Sequence, residues 1–168
     1  MKKILCIFLL LTITALIETS IFSNMYFLPA MPDLLLLVLL FISIKKGALS
    51  GEITGFSSGV IIDFFSTSPF GLNSLVRTII GYITGFLHVS IETSGFYIPL
   101  LLGFVATLIK ALLLLIVSFF YTEQIMVYSI FSVTLWIECL LNALFAPLVF
   151  KFLSFFKVFS SSNNEEIY

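Results

Sequence analysis

Long apolar runs, broken only by short polar stretches, are the feature that most constrains this chain. The run after Lys3, for example, contains one charged residue, Glu18, before Asn24. Of the 168 residues, 60% are hydrophobic and 10% are charged, whereas a soluble domain carries about 25% charged residues. A chain of this size cannot bury so much apolar surface in water, which excludes a single-domain soluble enzyme. Because each bilayer crossing takes about 20 apolar residues, we predict an all-α, polytopic integral membrane bundle of about six transmembrane helices.

Prolines and polar breaks divide the chain into the predicted spans. Pro29 and Pro32 end the first span, because proline lacks an N–H and fixes φ. The spans are an uncleaved N-terminal anchor that reaches about residue 27, followed by Leu34–Ile44, Gly47–Phe65, Leu72–Val89, Phe96–Phe120 and Ile125–Phe150. Residues 1–158 then form one transmembrane domain, and residues 159–168 form a short polar cytoplasmic tail. The second span is short and the loop at Glu92 has no basic residue, so five or four spans stay open.

The basic residues predict the direction of the chain. With the N-terminus inside, every basic residue outside the spans falls on the cytoplasmic side, as the positive-inside rule requires. These residues are Lys2, Lys3, Lys45, Lys46, Lys151 and Lys157. We therefore expect a multi-pass protein with both termini in the cytoplasm. The net charge of −1 provides no basic field for nucleic acid.

Glycines spaced four residues apart mark the third and fourth predicted spans. They are Gly47, Gly51, Gly55 and Gly59 in the third span, and Gly81 and Gly85 in the fourth. Small residues at this spacing let two membrane helices approach closely. Packing within the chain and contact with a second membrane protein both stay open. Four glycines exceed what one helix crossing needs, so we expect part of the row to remain an open groove that binds a partner helix.

Five ionisable residues fall within the predicted spans: Glu18, Asp63, Arg77, Lys110 and Glu138. A charge at the bilayer centre costs at least about 2.5 kcal/mol and usually faces the protein interior. Depths counted at about 1.5 Å per residue predict a Lys110–Glu138 pair near the midplane and an Asp63–Arg77 pair under the outer surface. Asn142, one turn after Glu138, extends this polar group. The charges either fix helix register as internal ion pairs or form a substrate or proton path.

The sequence predicts no catalytic, cofactor-binding or metal site. His88 is the only histidine, and Glu92 is its only neighbour at ligand spacing. Cys6 and Cys139 are too few for a disulfide framework. No phosphate-binding glycine loop is present. We therefore expect a protein that is not an enzyme.

An ordered set of motifs lies between Pro32 and Phe86. It comprises Pro32-Asp33 before a leucine run, Gly51, Gly55-Phe56, Gly59 leading to Asp63, Pro69-Phe-Gly71-Leu72 and Gly81-Tyr82. In this order the motifs resemble the rod shape-determining protein MreD family of bacterial inner-membrane proteins. The resemblance covers about a third of the chain.

The resemblance implies a non-enzymatic scaffold of the cell-elongation machinery. Its implied partners are the bitopic protein MreC, the actin-like MreB and the RodA–penicillin-binding-protein synthase pair, which builds lateral peptidoglycan. It also implies a fold similar to the substrate-binding subunits of energy-coupling-factor transporters. A vitamin-binding subunit of such a transporter is therefore the alternative function. That alternative requires a pocket with several unpaired hydrogen-bond donors in the outer half of the bundle.

Overall fold

All regular structure in the described part of the chain is helical. The structure is a computed structural model, and it describes residues 2–21, 29–89, 95–120 and 132–156. Its six α-helices are α1 (Lys2–Ile21), α2 (Leu34–Lys46), α3 (Ala48–Phe65), α4 (Leu72–Phe86), α5 (Tyr97–Ser118) and α6 (Val133–Ser154). A short 3-10 turn, Leu87–Val89, follows α4. The all-α prediction is confirmed. The predicted tail, the loop at Glu92, the end of the first predicted span (22–27) and the start of the sixth (125–131) lie outside the described residues.

Helix α2 is the core of the bundle. Ten consecutive residues, from Leu35 to Ile44, are buried. Such a helix is apolar on every side, and a helix of that kind is stable only when other elements surround it. Contacts with α1, α3, α4 and α6 provide this cover. The second predicted span corresponds to α2, an internal helix of 13 residues. It is about 20 Å long at 1.5 Å per residue.

Four of the remaining helices pack as two antiparallel hairpins around α2, and α1 packs against α2 and α3. Helices α3 and α4 form the most extensive contact in the bundle, and α5 and α6 form the next. The turn between α3 and α4 ends at Gly71, whose φ of 94° lies in the left-handed region that glycine adopts readily. The turn therefore returns the chain directly along α3.

Two described helices, α5 and α6, are long and apolar enough to cross a membrane by length and composition. Each has 22 residues, or about 33 Å at 1.5 Å per residue, against a hydrocarbon core of about 30 Å. The six crossings expected from the sequence thus find direct support at two helices.

Candidate functional site

The segment before α2 places a carboxylate inside the bundle. Ala30, Pro32 and Asp33 are buried although they are not helical. The Asp33 side chain caps α2, because its Oδ1 accepts a hydrogen bond of 2.8 Å from the Leu36 N–H. Aspartate is a favoured N-cap residue, since the first N–H groups of a helix have no partner within it. The irregular segment is thus covered by the surrounding helices.

Asp33 is also the centre of an ion-pair network. Arg77 Nη2 on α4 lies 2.8 Å from Asp33 Oδ1 and 2.9 Å from Oδ2. Lys110 Nζ on α5 lies 2.8 Å from Asp33 Oδ2 and 2.8 Å from Glu138 Oε1 on α6. We call these four residues, Asp33, Arg77, Lys110 and Glu138, the charge network. Its two acids and two bases balance, so four parts of the bundle are joined with no net charge.

The sequence-predicted Lys110–Glu138 pair is present in the structure. Asn142, which the sequence predicted to extend this pair, joins the network through Asp33, because Asn142 Oδ1 accepts a 2.7 Å hydrogen bond from the Asp33 backbone N–H. The Asn142 side-chain amide then donates to Thr107 Oγ1 at 2.9 Å. Asn142 is 0% exposed and Thr107 is 1% exposed. The oxygen and the nitrogen of this buried side-chain amide thus each have a hydrogen-bond partner within the bundle, as is usual for buried polar groups.

Glu18 connects α1 to the same region. Its Oε2 accepts a 3.1 Å hydrogen bond from the Leu35 N–H at the start of α2. Together, Asp33 and Glu18 satisfy two of the N–H groups that α2 cannot satisfy itself. The N-terminus of α2 therefore joins side chains from α1, α4, α5 and α6.

Asp63 does not pair with Arg77, and this expectation from the sequence is corrected. The Asp63 carboxylate instead accepts hydrogen bonds at the start of α4, from backbone and side-chain donors of Gly71, Asn73 and Ser74 at 2.7–3.2 Å. The free N–H groups of α4 lie beside the end of α3, so they bind the carboxylate first. Arg77 lies more than one turn further along α4 and reaches Asp33.

Asp33 is the network residue that the analysis of the sequence missed. It lies between the first two predicted spans, so it falls outside the five ionisable residues that the sequence places within the spans. The available signal was an aspartate directly before an apolar run, which is a typical helix N-terminus. The depth of that N-terminus, however, depends on how the segment 29–33 enters the bundle.

The two glycine rows face each other across the α3–α4 contact. A Cβ atom built on Gly51 would lie 2.2 Å from the Gly81 carbonyl oxygen, and one on Gly81 would lie 2.2 Å from the Gly51 carbonyl oxygen. Equivalent atoms on Gly55, Gly59 and Gly85 would lie 2.2–2.5 Å from backbone atoms of the opposite helix. The rows therefore form internal packing. The expected open groove is corrected, because α4 fills it along its length.

His88 lies away from the charge network. Its Nδ1 forms a hydrogen bond with the Ile44 carbonyl oxygen near the end of α2. This contact ties the 3-10 turn after α4 to the helix that the bundle surrounds.

Comparison with known protein families gives one match. Residues 1–156 match the family described as rod shape-determining protein MreD. The match extends well beyond Pro32–Phe86 and confirms the resemblance seen in the motifs. No curated protein matches the chain. No solved structure matches it either, so the expected similarity to energy-coupling-factor subunits is unsupported.

Proposed function

Since this chain belongs to the MreD family of rod shape-determining proteins, we propose that it is a non-enzymatic scaffold of the cell-elongation machinery in the bacterial inner membrane. In this proposal it binds an MreC-like bitopic membrane protein. It thereby supports lateral peptidoglycan synthesis by a RodA–penicillin-binding-protein pair, together with MreB. The observation that carries the proposal is the family match over residues 1–156.

The outer surfaces of the helices support placement in a membrane. Leu140, Leu144 and Leu148 are spaced by one helical turn on α6 and are 64%, 59% and 60% exposed. Leu112 on α5 is 58% exposed. Apolar surface of this extent marks contact with a membrane or with another protein. We infer that lipid covers these faces of α5 and α6.

The ends of the helices support the proposed topology. Lys45 at the end of α2, Gly95 before α5 and Lys151 at the end of α6 line one cavity, so these three points lie at the same end of the bundle. The Ser66–Gly71 turn, which joins the end of α3 to the start of α4, lies at the other end of the bundle. With the lysines inside, both termini are cytoplasmic.

Reporter fusions test this topology. A reporter that is active only outside the cytoplasm should be active when inserted in the Ser66–Gly71 turn and inactive when fused after Tyr168. A cytoplasmic reporter should give the reverse pattern, because the positive-inside rule places Lys45 and Lys151 in the cytoplasm. External activity at Tyr168 would indicate an odd number of crossings and would contradict the topology.

The interior of the bundle favours a scaffold over a transport subunit. A ligand pocket requires polar groups that are free to bind the ligand. The carboxylates of Asp33 and Glu138 bind Arg77 and Lys110 instead, and Asn142 binds backbone and Thr107. Buried pairs of this kind hold one helix arrangement. No observation in the described residues favours the vitamin-binding alternative.

With the glycine rows closed, we place the partner on the outer face of α3. Two apolar grooves of about 450 Å³ and 350 Å³ lie side by side there and share Phe56 and Val60 as their common wall. The first is bounded by α1 and the second by α4. Small side chains line each groove, Ser57 in the first and Ser74 in the second. Small residues let a membrane helix approach closely, so the single transmembrane helix of an MreC-like protein fits this face.

Co-purification tests the proposal. The tagged protein, extracted in mild detergent, should retain an MreC-like protein from the same cells. Ser57→Trp fills the first groove and Leu75→Trp fills the second, so at least one of them should reduce retention about tenfold, equivalent to about 1.4 kcal/mol. Leu75 is 50% exposed and Leu112 is 58% exposed, so Leu112→Trp is the matched control and should retain the partner.

The possible failures of this experiment are distinct. A wild-type protein that retains no MreC-like protein would contradict partner binding itself. Retention by both groove variants would place the partner on another face. Tight binding of a vitamin-sized ligand by the purified wild type, with no partner present, would favour the transport subunit.

A further inference from the structure

A basic cavity lies at the end of the bundle where α2 and α6 end and α5 begins. Its volume is about 520 Å³, which is within the range of small-ligand sites. Phe41, Pro147 and Phe150 form apolar walls, and Lys45 and Lys151 contribute the charges. The cavity is remote from the charge network and from the two apolar grooves, with which it shares no lining residue.

Neither lysine at this cavity is neutralised by a described acidic residue. No described residue that lines the cavity is acidic. Among the described residues, the side-chain ammonium groups of Lys45 and Lys151 take part in no ion pair and have no other polar partner. Two cations from different helices thus border one apolar space, a charge arrangement that fits an anion with an apolar attachment.

The start of α5 adds to the positive potential. Phe96 and Pro99, at the first turn of α5, line the cavity. No side chain of the described residues caps this helix, and the first N–H groups of a 22-residue helix carry partial positive charge. Phosphate groups bind favourably at such helix starts when other cations are present.

We propose that this cavity binds the phosphate headgroup of an anionic phospholipid from the cytoplasmic leaflet. In the topology proposed above, Lys45 and Lys151 lie at the cytoplasmic interface, where anionic headgroups are found and where basic pockets between membrane helices bind them. The phosphate lies between the two ammonium groups. The acyl chains extend along the apolar wall that Phe41 and Phe150 form, so lipid is a better fit than free phosphate. This site rests on the proposed membrane placement and is independent of the MreC-like partner.

Native mass spectrometry of the full chain in detergent tests the site. The purified protein is mixed with phosphatidylglycerol or with zwitterionic phosphatidylethanolamine, and the retained lipid is counted. Each lysine near an anionic surface contributes about fivefold in affinity. The double variant Lys45→Gln/Lys151→Gln should therefore lose about 30-fold in phosphatidylglycerol affinity, with little change for phosphatidylethanolamine.

Two further variants separate a built site from a general surface charge. Lys46→Gln removes one charge next to Lys45 but outside the cavity lining, so it should keep the preference for phosphatidylglycerol. Ser154→Trp keeps both lysines but fills the cavity, so it should lose bound lipid. The proposal is overturned if wild type binds both lipids equally, if Lys46→Gln has the same effect as the single Lys45→Gln change, or if Ser154→Trp retains the lipid.

Competition with inorganic phosphate shows whether the bound phosphate belongs to a lipid or to a soluble anion. Inorganic phosphate at millimolar concentration should leave phosphatidylglycerol bound, because it lacks the apolar contact with Phe41 and Phe150. Displacement of the lipid by inorganic phosphate would assign the cavity to a soluble anion and would overturn the lipid proposal. A groove variant that no longer retains the MreC-like partner should still prefer phosphatidylglycerol, because the cavity and the grooves share no lining residue.

Discussion

Replacing Asp33 with alanine should sharply reduce the amount of folded protein. The change leaves the Arg77 guanidinium buried with no hydrogen-bond partner among the described residues, because both of its bonds are to Asp33 and Nη1 has none. It also removes the α2 cap at Leu36. Breaking a buried pair from one side costs about 3–5 kcal/mol. The measurement is the thermal midpoint and the monodisperse yield of the purified protein in detergent.

The control for Asp33→Ala is Glu52→Ala. Glu52 is an acid on α3, is partly exposed and lies outside the charge network, so its removal should change stability by less than about 0.5 kcal/mol. Combined variants identify the pair. The losses of Asp33→Ala and Arg77→Ala should be non-additive, whereas those of Asp63→Ala and Arg77→Ala should add. Equal stability of Asp33→Ala and Glu52→Ala would contradict the network.

Replacing Gly55 with alanine should destabilise the protein, although alanine is the better helix former. The added Cβ atom would lie 2.4 Å from the Arg77 carbonyl oxygen and 2.9 Å from the Thr78 Cα, so the α3 and α4 backbones must separate. Overpacking of this kind costs about 1–3 kcal/mol, against a gain of about 1 kcal/mol when alanine replaces glycine in an open helix position. The expected result is a lower thermal midpoint in detergent.

Gly95→Ala is the matched control for Gly55→Ala. A Cβ atom on Gly95 meets no atom of the described residues within 4 Å, so the same substitution should leave the midpoint almost unchanged. If Gly55→Ala instead accumulates normally and loses only its partner, the glycine row faces another protein and the internal packing described here is wrong.

Most helix positions could be predicted closely from the sequence, but the sixth span, expected at Ile125–Phe150, is wrong at both ends, because α6 runs from Val133 to Ser154. Helix α3 begins one residue after the predicted span, at Ala48, and both end at Phe65. Helix α4 begins at Leu72 as predicted. These agreements arise because glycine, proline and serine interrupt apolar runs at the turns, and such residues act locally. Local signals of this kind need no knowledge of the tertiary arrangement.

The partners of the buried charges could be predicted only in part. Lys110 and Glu138 lie on adjacent antiparallel helices, so counting residues from the predicted outer ends of their spans gave a common depth. Asp33 could not be placed by counting, because the segment before α2 enters the bundle without regular geometry. Asp63 and Arg77 matched in sign, but the sequence could not show that the N–H groups at the start of α4 would take the carboxylate first.

The glycine rows show a different limit. Spacing identifies a face that permits close helix contact, but the same spacing suits a neighbour in the chain or a separate protein. The structure resolves this choice, because Gly51 and Gly81 each lie against the backbone of the other's helix. The proposed partner site therefore lies on a surface with no periodic motif, the outer face of α3, where Phe56 and Val60 line both grooves.

Site-specific photo-crosslinking in growing rod-shaped cells tests the central claim, that this chain is a shape-determining scaffold whose α3 outer face binds an MreC-like membrane protein. A photoreactive residue is placed at Ser57 on α3, at Leu75 on the α4 side of the second groove, or at Leu112 on α5 as the control. We expect an adduct with the MreC-like protein from at least one groove position and none from Leu112. An adduct from Leu112 alone, or no adduct from any position in cells that stay rod-shaped, would contradict it.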